Sequence, residues 1–278
     1  MTFNRFVAID WTGARGERHA GIAVAECAFE ASAPVLVRPG HRWSRLEVLD
    51  WVAGIAARRE RTLIGFDFSF SLPHADAGAY FPGAADSPAG PRALWGEVDL
   101  GTEPHLEAHD YVARRDAHFW QGAHHGERRP RARLRTVENV WAAKKLGAPS
   151  SCFVLLGAAQ CGKASLSGMR LLNRLALPVW PFDTLPAAGP ALVEIYCRTF
   201  AADGGVRGKI RDGAALDAAL ARLGSAPARL TGTLTDHVGD ALISAAGMRR
   251  AAAMPEYWQP PAMTPAVAAL EGWTFGIA

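Results

Sequence analysis

Two apolar segments, each ending in a carboxylate, restrict this chain more than anything else in it: Phe6-Val7-Ala8-Ile9-Asp10 and Leu63-Ile64-Gly65-Phe66-Asp67. A short apolar run bounded by polar or glycine punctuation reads as a strand buried on both faces. An aspartate directly after it leaves the sheet at its carboxyl edge, where ligands of open α/β sheets bind. Turn preference alone also puts aspartate at strand ends, so a single such segment would carry little. Two on neighbouring strands bring like charges together, and these repel unless a cation separates them. A divalent metal ion is the commonest solution.

Residues 3–10, about 20–27 and about 34–42 read as three successive strands, with Gly13, Gly16 and Gly21 in the first turn. Ser44 then caps a helix running to about Arg59, and the strand 62–67 must return parallel to the first through a right-handed crossover. From Pro73 to Pro149 apolar periodicity is weak, and six of the nine histidines fall there. So long an irregular stretch is usually functional; short helices are expected near 91–98 and 137–146. Regular structure is expected again at Cys152–Leu156 (strand), Ser165–Leu175 (helix), Ala191–Tyr196 (strand), about 213–223 (helix) and Thr235–Met254 (helix). The expected fold class is α/β: a mixed β-sheet flanked by helices, one domain over 1–278, with a long irregular or helical insertion at about 73–150.

At 49% hydrophobic and 21% charged residues the chain reads as globular. No apolar stretch reaches the roughly 20 residues of a membrane span, and the N-terminus has no signal-peptide core, so no membrane partner is expected. Cys27, Cys152, Cys161 and Cys197 form no C-x-x-C pair, which fits a reducing cytoplasm.

The last long helix opens Thr235-Asp236-His237-Val238-Gly239-Asp240-Ala241. Asp236, His237 and Asp240 share one face of its first turns. Capping accounts for Asp236, but not for Asp240 inside an apolar stripe. Glu194 is likewise an acid on a buried strand and must be paired, solvated or metal-bound. Asp10, Asp67, Glu194 and Asp240, with Asp236 beside them, are therefore the candidate ligands of a hard, oxygen-only site for Mg²⁺ or Mn²⁺. Such a set suits two-metal hydrolysis of phosphodiesters. His237 and Lys163 are candidates for proton transfer and phosphate binding.

The order strand-aspartate, hairpin, helix, strand-aspartate and late His237-x-x-Asp240-Ala241 helix resembles the RNase H-like nuclease fold. His237–Leu242 is similar to the active-site helix of Holliday-junction resolvases. Ile64–Pro73, the turn Gly157–Lys163, Glu194-Ile195-Tyr196 and Glu271-Gly272-Trp273 resemble a prokaryotic family of predicted RNase H-like nucleases, known as a domain of unknown function. That family often has proline after Glu-x-Tyr, where this chain has Cys197. The resemblance spans nearly the whole chain and implies a metal-dependent nuclease fold, with nucleic acid, DNA or RNA, as the partner.

Gly157-x-x-x-x-Gly162-Lys163 nearly matches a phosphate-binding loop, but Ala164 stands where the metal-binding hydroxyl belongs, unless Ser165 substitutes. A nucleotide-binding protein or ATPase built on this loop is thus the alternative to a nuclease, and a catalytically inert nucleic-acid-binding protein is a third. The formal net charge is +3, yet residues 114–135 alone carry +5. Within them Arg128, Arg129, Arg131, Arg133 and Arg135 are expected to face solvent or a polyanion and to grip phosphates.

Overall fold

A computed structural model of the chain describes residues 3–127, 131–145, 147–157 and 161–278. The first strands are β1 (Arg5–Asp10), β2 (Arg18–His19), β3 (Ala23–Ala28), β4 (Val35–Leu36) and β5 (Trp43–Ser44), followed by α1 (Arg45–Ala57) and β6 (Thr62–Phe66). The Ser44 hydroxyl accepts from Glu47 N at 3.0 Å and the Glu47 carboxylate accepts from Ser44 N at 2.8 Å. This capping box starts α1 where the sequence places it. The expected third strand, 34–42, is only β4, and β5 pairs separately with β2; Pro39-Gly40 breaks the run.

The insertion holds α2 (Pro91–Asp99), α3 (His109–Arg114) and α4 (Thr136–Ala143). Then come α5 (Gly162–Leu175), β7 (Val179–Trp180), β8 (Ala191–Glu194), α6 (Cys197–Asp203), α7 (Gly213–Arg222), α8 (Asp236–Ala252), α9 (Pro255–Trp258) and α10 (Pro265–Leu270). The main sheet has the order β4-β3-β1-β6-β8-β7. β1 is antiparallel to β3 and parallel to β6, and β8 is parallel to both β6 and β7. The result is an α/β fold with a mixed six-stranded sheet flanked by helices, consistent with an RNase H-like arrangement.

Strand pleating explains why β1 is apolar throughout. Phe6 and Ala8 face a core shared with α6, α7 and α8, whereas Val7 and Ile9 face one shared with α1, α2 and α5. A side chain at Gly65 of β6 would lie 2.6 Å from Met248 Sδ and 2.7 Å from Ile195 Cγ2. Glycine there lets α8 lie close to the sheet, which carries the first turns of α8 to the carboxyl edge.

Cys152–Leu156 is not a strand; only Val154 bridges, to Trp120. Its Phe153 packs with Phe81 and Phe119 of the insertion instead, at 6.0 and 5.4 Å between ring centroids. A short apolar run does not tell sheet from loop core. The insertion itself is ordered by buried guanidinium groups, because irregular backbone leaves carbonyls without ladder partners. Arg170 donates to the carbonyls of Gly101, Glu103 and Glu107, and Arg45 to those of Thr12, Ala14 and His105. Among the described residues, no helix is long and apolar enough to cross a membrane.

Candidate metal centre

Asp10 ends β1, and Asp67 follows β6, with its N–H donating to Ile9 O at 3.0 Å. Parallel pairing in the register Ile9↔Phe66 therefore sets the two aspartates side by side at one edge of the sheet. Ligand atoms of Asp10, Asp67 and Cys197 all lie within 4.8 Å of one another. Asp10 is only 6% exposed, so its charge is poorly solvated.

Cys197 is the first residue of α6, and its thiol and backbone N–H lie close enough to Asp67 to favour the ionised carboxylate. The helix therefore starts beside a carboxylate 130 positions away in the sequence. Its own N-cap, Tyr196, makes no side-chain capping bond, which is why no local signal announced α6. The first helical position also suits proline; cysteine there adds a sulfur to the acidic cluster.

The third carboxylate comes from α8. The Thr235 hydroxyl caps that helix through Val238 N at 3.3 Å, so Asp236, His237 and Asp240 lie in its first two turns. His237 Nδ1–H donates to Asp10 Oδ2 at 2.5 Å. Asp240 accepts from Lys209 Nζ at 3.0 Å. Asp236 stands farther out, 3.7 Å from Arg211 and 3.8 Å from Lys209.

Protonation follows from this crowding. Burial, then the neighbouring Asp10 and Asp240 carboxylates, hold the Asp67 carboxyl well above the usual range despite the nearby Cys197 thiol and N–H. Asp240 is also raised, by burial first and then by Asp10, with Lys209 opposing. His237 is raised by its bond to Asp10, against the effect of burial. Burial and the surrounding aspartates push the Cys197 thiol up.

Glu194 does not join this cluster. Arg135 donates to both its oxygens, at 2.8 and 2.6 Å, Phe70 N donates at 2.7 Å, and the Thr274 hydroxyl donates as well. A carboxylate so bonded is neutralised and has no demand for a metal ion. Arg135 is 1% exposed, contrary to the expectation that it faces solvent or a polyanion. The buried charge of Glu194 is matched by this guanidinium. Arg133 is likewise occupied, by Asp76 and the carbonyls of Pro73, Ala79 and Tyr80. Arg131 donates to Ala117 O at 3.1 Å, and Arg128 and Arg129 lie outside the described residues.

In and just after the glycine-lysine turn, Cys161 and Ala164 line a cavity together with Asp67 and Glu194. A side chain at Gly162 would meet Cys152 O at 2.2 Å, so packing of α5 requires this glycine. Gly157 adopts φ +97°, a turn conformation. Lys163 lines a small cavity with Gly13, Glu107 and His109, not the acidic cluster. Ser165 is fully buried, accepting from Ser69 N and donating to Cys161 O, so its hydroxyl is no substitute metal ligand. Cys197 and Lys209 are the site residues that sequence reasoning missed. The only signal for Cys197 was its place after Glu-x-Tyr; Lys209 sits in a connecting segment without a motif.

The donors brought together are two adjacent carboxylates and a thiol, with the Asp240 carboxylate in electrostatic range and His237 and Lys209 as the nearby cations. Fold and site together define an α/β protein with a cluster of two aspartates and a cysteine at the carboxyl edge of its sheet. Comparisons with protein-family models, curated proteins and solved structures found no match for this chain.

Proposed function

We propose that this protein is a divalent-metal-dependent nuclease of the RNase H-like kind, hydrolysing phosphodiester bonds of nucleic acid in a reducing, cytoplasmic setting. The observation that carries the reading is the side-by-side pair Asp10 and Asp67, within 4.8 Å of each other and of Cys197. Mg²⁺ or Mn²⁺ would be held by Asp10 and Asp67 with Asp240 completing the set, and would supply Lewis-acid activation of water and phosphate. With Glu194 withdrawn, a second ion would have to draw on Asp236 and on the substrate itself.

The chain's own groups have definable parts. His237 fixes the Asp10 carboxylate through Nδ1, leaving Nε2 of a 44% exposed side chain to exchange protons at the site. Lys209 and Arg211 bring positive charge beside Asp236 and Asp240, where an incoming phosphate would otherwise be repelled.

The test is cleavage of single-stranded and duplex DNA and RNA in Mg²⁺ or Mn²⁺, with calorimetric measurement of Mn²⁺ binding. Asp10→Asn, nearly isosteric, should abolish cleavage and Mn²⁺ binding while leaving the circular dichroism spectrum unchanged. Wild-type protein that binds no Mn²⁺, or an Asp10→Asn variant that still cleaves, would overturn the reading.

A further inference from the structure

A cavity of about 270 Å³ opens against the acidic cluster and shares Asp67 with it. It is built from the same three backbone segments. Trp11 follows Asp10, Phe68 follows Asp67 and Tyr196 precedes Cys197, and all three line the cavity, joined by Trp141 of α4. Trp11 packs on Phe68 with ring centroids 5.6 Å apart and is held by its Nε1–H donating to Ser167 Oγ at 3.0 Å. Trp141 meets Tyr196 edge to face at 5.3 Å. The aromatic walls are thus locked by packing and hydrogen bonding before any ligand arrives.

The remaining lining separates by chemistry. Arg135 donates to both Glu138 and Glu194, so its charge is already matched and offers nothing to an anionic ligand. Ser69 and Ser150 add small polar groups. An apolar, aromatic-walled cavity with a few polar groups is made for a neutral planar ligand. Its volume lies just below the roughly 300 Å³ at which pockets for drug-sized molecules begin, so it has room for one compact ring system.

We infer that this cavity receives the nucleobase of the nucleotide whose phosphate lies at Asp10 and Asp67. The inference rests on the nuclease reading and narrows its substrate. A base can enter only after leaving its stack, and unstacking costs least for single-stranded or mismatched nucleotides. The substrate class is therefore single-stranded nucleic acid or a frayed end. Aromatic walls hold any base by its π-face, so sequence preference is weak.

The experiment uses the full chain without metal, with adenosine and uridine as probes and ribose 5-phosphate as the control. Binding is read by equilibrium dialysis. Both nucleosides should bind at least about tenfold more tightly than ribose 5-phosphate, the effect of one stacked base. Ser150→Phe, on the cavity rim, and Ala164→Leu, on its wall, should each remove nucleoside binding, with Mn²⁺ affinity and melting temperature unchanged. Nucleosides binding no better than ribose 5-phosphate, or binding equally to both filled variants, would overturn the inference. So would cleavage of blunt duplex as fast as single strands. Because nucleoside binding needs no metal, it can fail while Mn²⁺-dependent cleavage survives, and it can persist where cleavage is absent.

Discussion

Glu194 and Asp67 sit almost side by side at the same edge of the sheet, and their fates differ. Glu194 pairs in register with Phe66, the residue before Asp67, so the two acids end adjacent parallel strands one position apart. Around Glu194 the insertion supplies Arg135, and the backbone and Thr274 supply further donors. Around Asp67 the fold supplies two more carboxylates and a thiol, with His237 bound to Asp10 and Lys209 to Asp240. A buried acid at a strand end is therefore no sign of a metal site by itself. What separates the two acids is direct pairing: a guanidinium bonds both oxygens of Glu194, whereas Asp67 faces a thiol and two further carboxylates.

The strongest way to probe that contrast is to remove the compensated acid. Glu194→Gln leaves the buried Arg135 guanidinium with Glu138 as its remaining carboxylate partner, and should cost ~1–3 kcal/mol in urea denaturation. The folded fraction should bind Mn²⁺ as the wild type does. Unchanged stability together with lost Mn²⁺ affinity would erase the distinction between the two acids.

Asp67→Asn should act with the opposite sign. In metal-free protein at neutral pH it removes a crowded carboxyl and should raise the unfolding free energy, by about 1.4 kcal/mol for each unit by which the Asp67 pKa is displaced up to that pH. The wild type should overtake the variant when Mn²⁺ is added, gaining ~2.7 kcal/mol at a hundredfold excess over its dissociation constant. A variant less stable than metal-free wild type at neutral pH would mean that Asp67 is chiefly a cap for α6.

The pH dependence sharpens the same point. A raised carboxyl pKa means that the folded state holds its proton more tightly than the unfolded chain. Stability from Asp67 and Asp240 is thus complete below the unfolded carboxylate range, near pH 4, and is lost as pH rises through their raised values. His237 acts in the same direction: its contribution is present below about pH 6.5 and disappears as pH rises through its raised folded value. The stability difference between metal-free wild type and Asp67→Asn should therefore move in favour of the variant from pH 4 to 8. Melting curves across that range, in which no such drift occurred, would show that the cluster is already balanced.

The smallest effect is expected at Lys209, whose side chain is 51% exposed. Lys209→Met removes a cation that competes for Asp240, and should tighten Mn²⁺ binding only a few-fold, as befits an exposed ion pair worth ~0.2–1 kcal/mol. Weaker binding in calorimetry would instead make Lys209 an organiser of the Asp240 carboxylate.

What the sequence determined by itself was local. Apolar runs made β1 and β6, the Ser44–Glu47 box began α1, and Thr235 began α8, so Asp10, Asp67, His237 and Asp240 could all be marked from neighbours within a few positions. The meeting of Asp10 and Asp67 at one edge followed from parallel pairing. Only the tertiary structure decided which acids remain uncompensated. Arg135 lies 59 positions from Glu194, inside an insertion with no periodicity to place it. Cys197 and Lys209 reach the cluster through a missed helix and a motifless loop. Solvation and Coulomb energies depend on groups within a few ångströms in space, and separation along the chain carries almost none of that information.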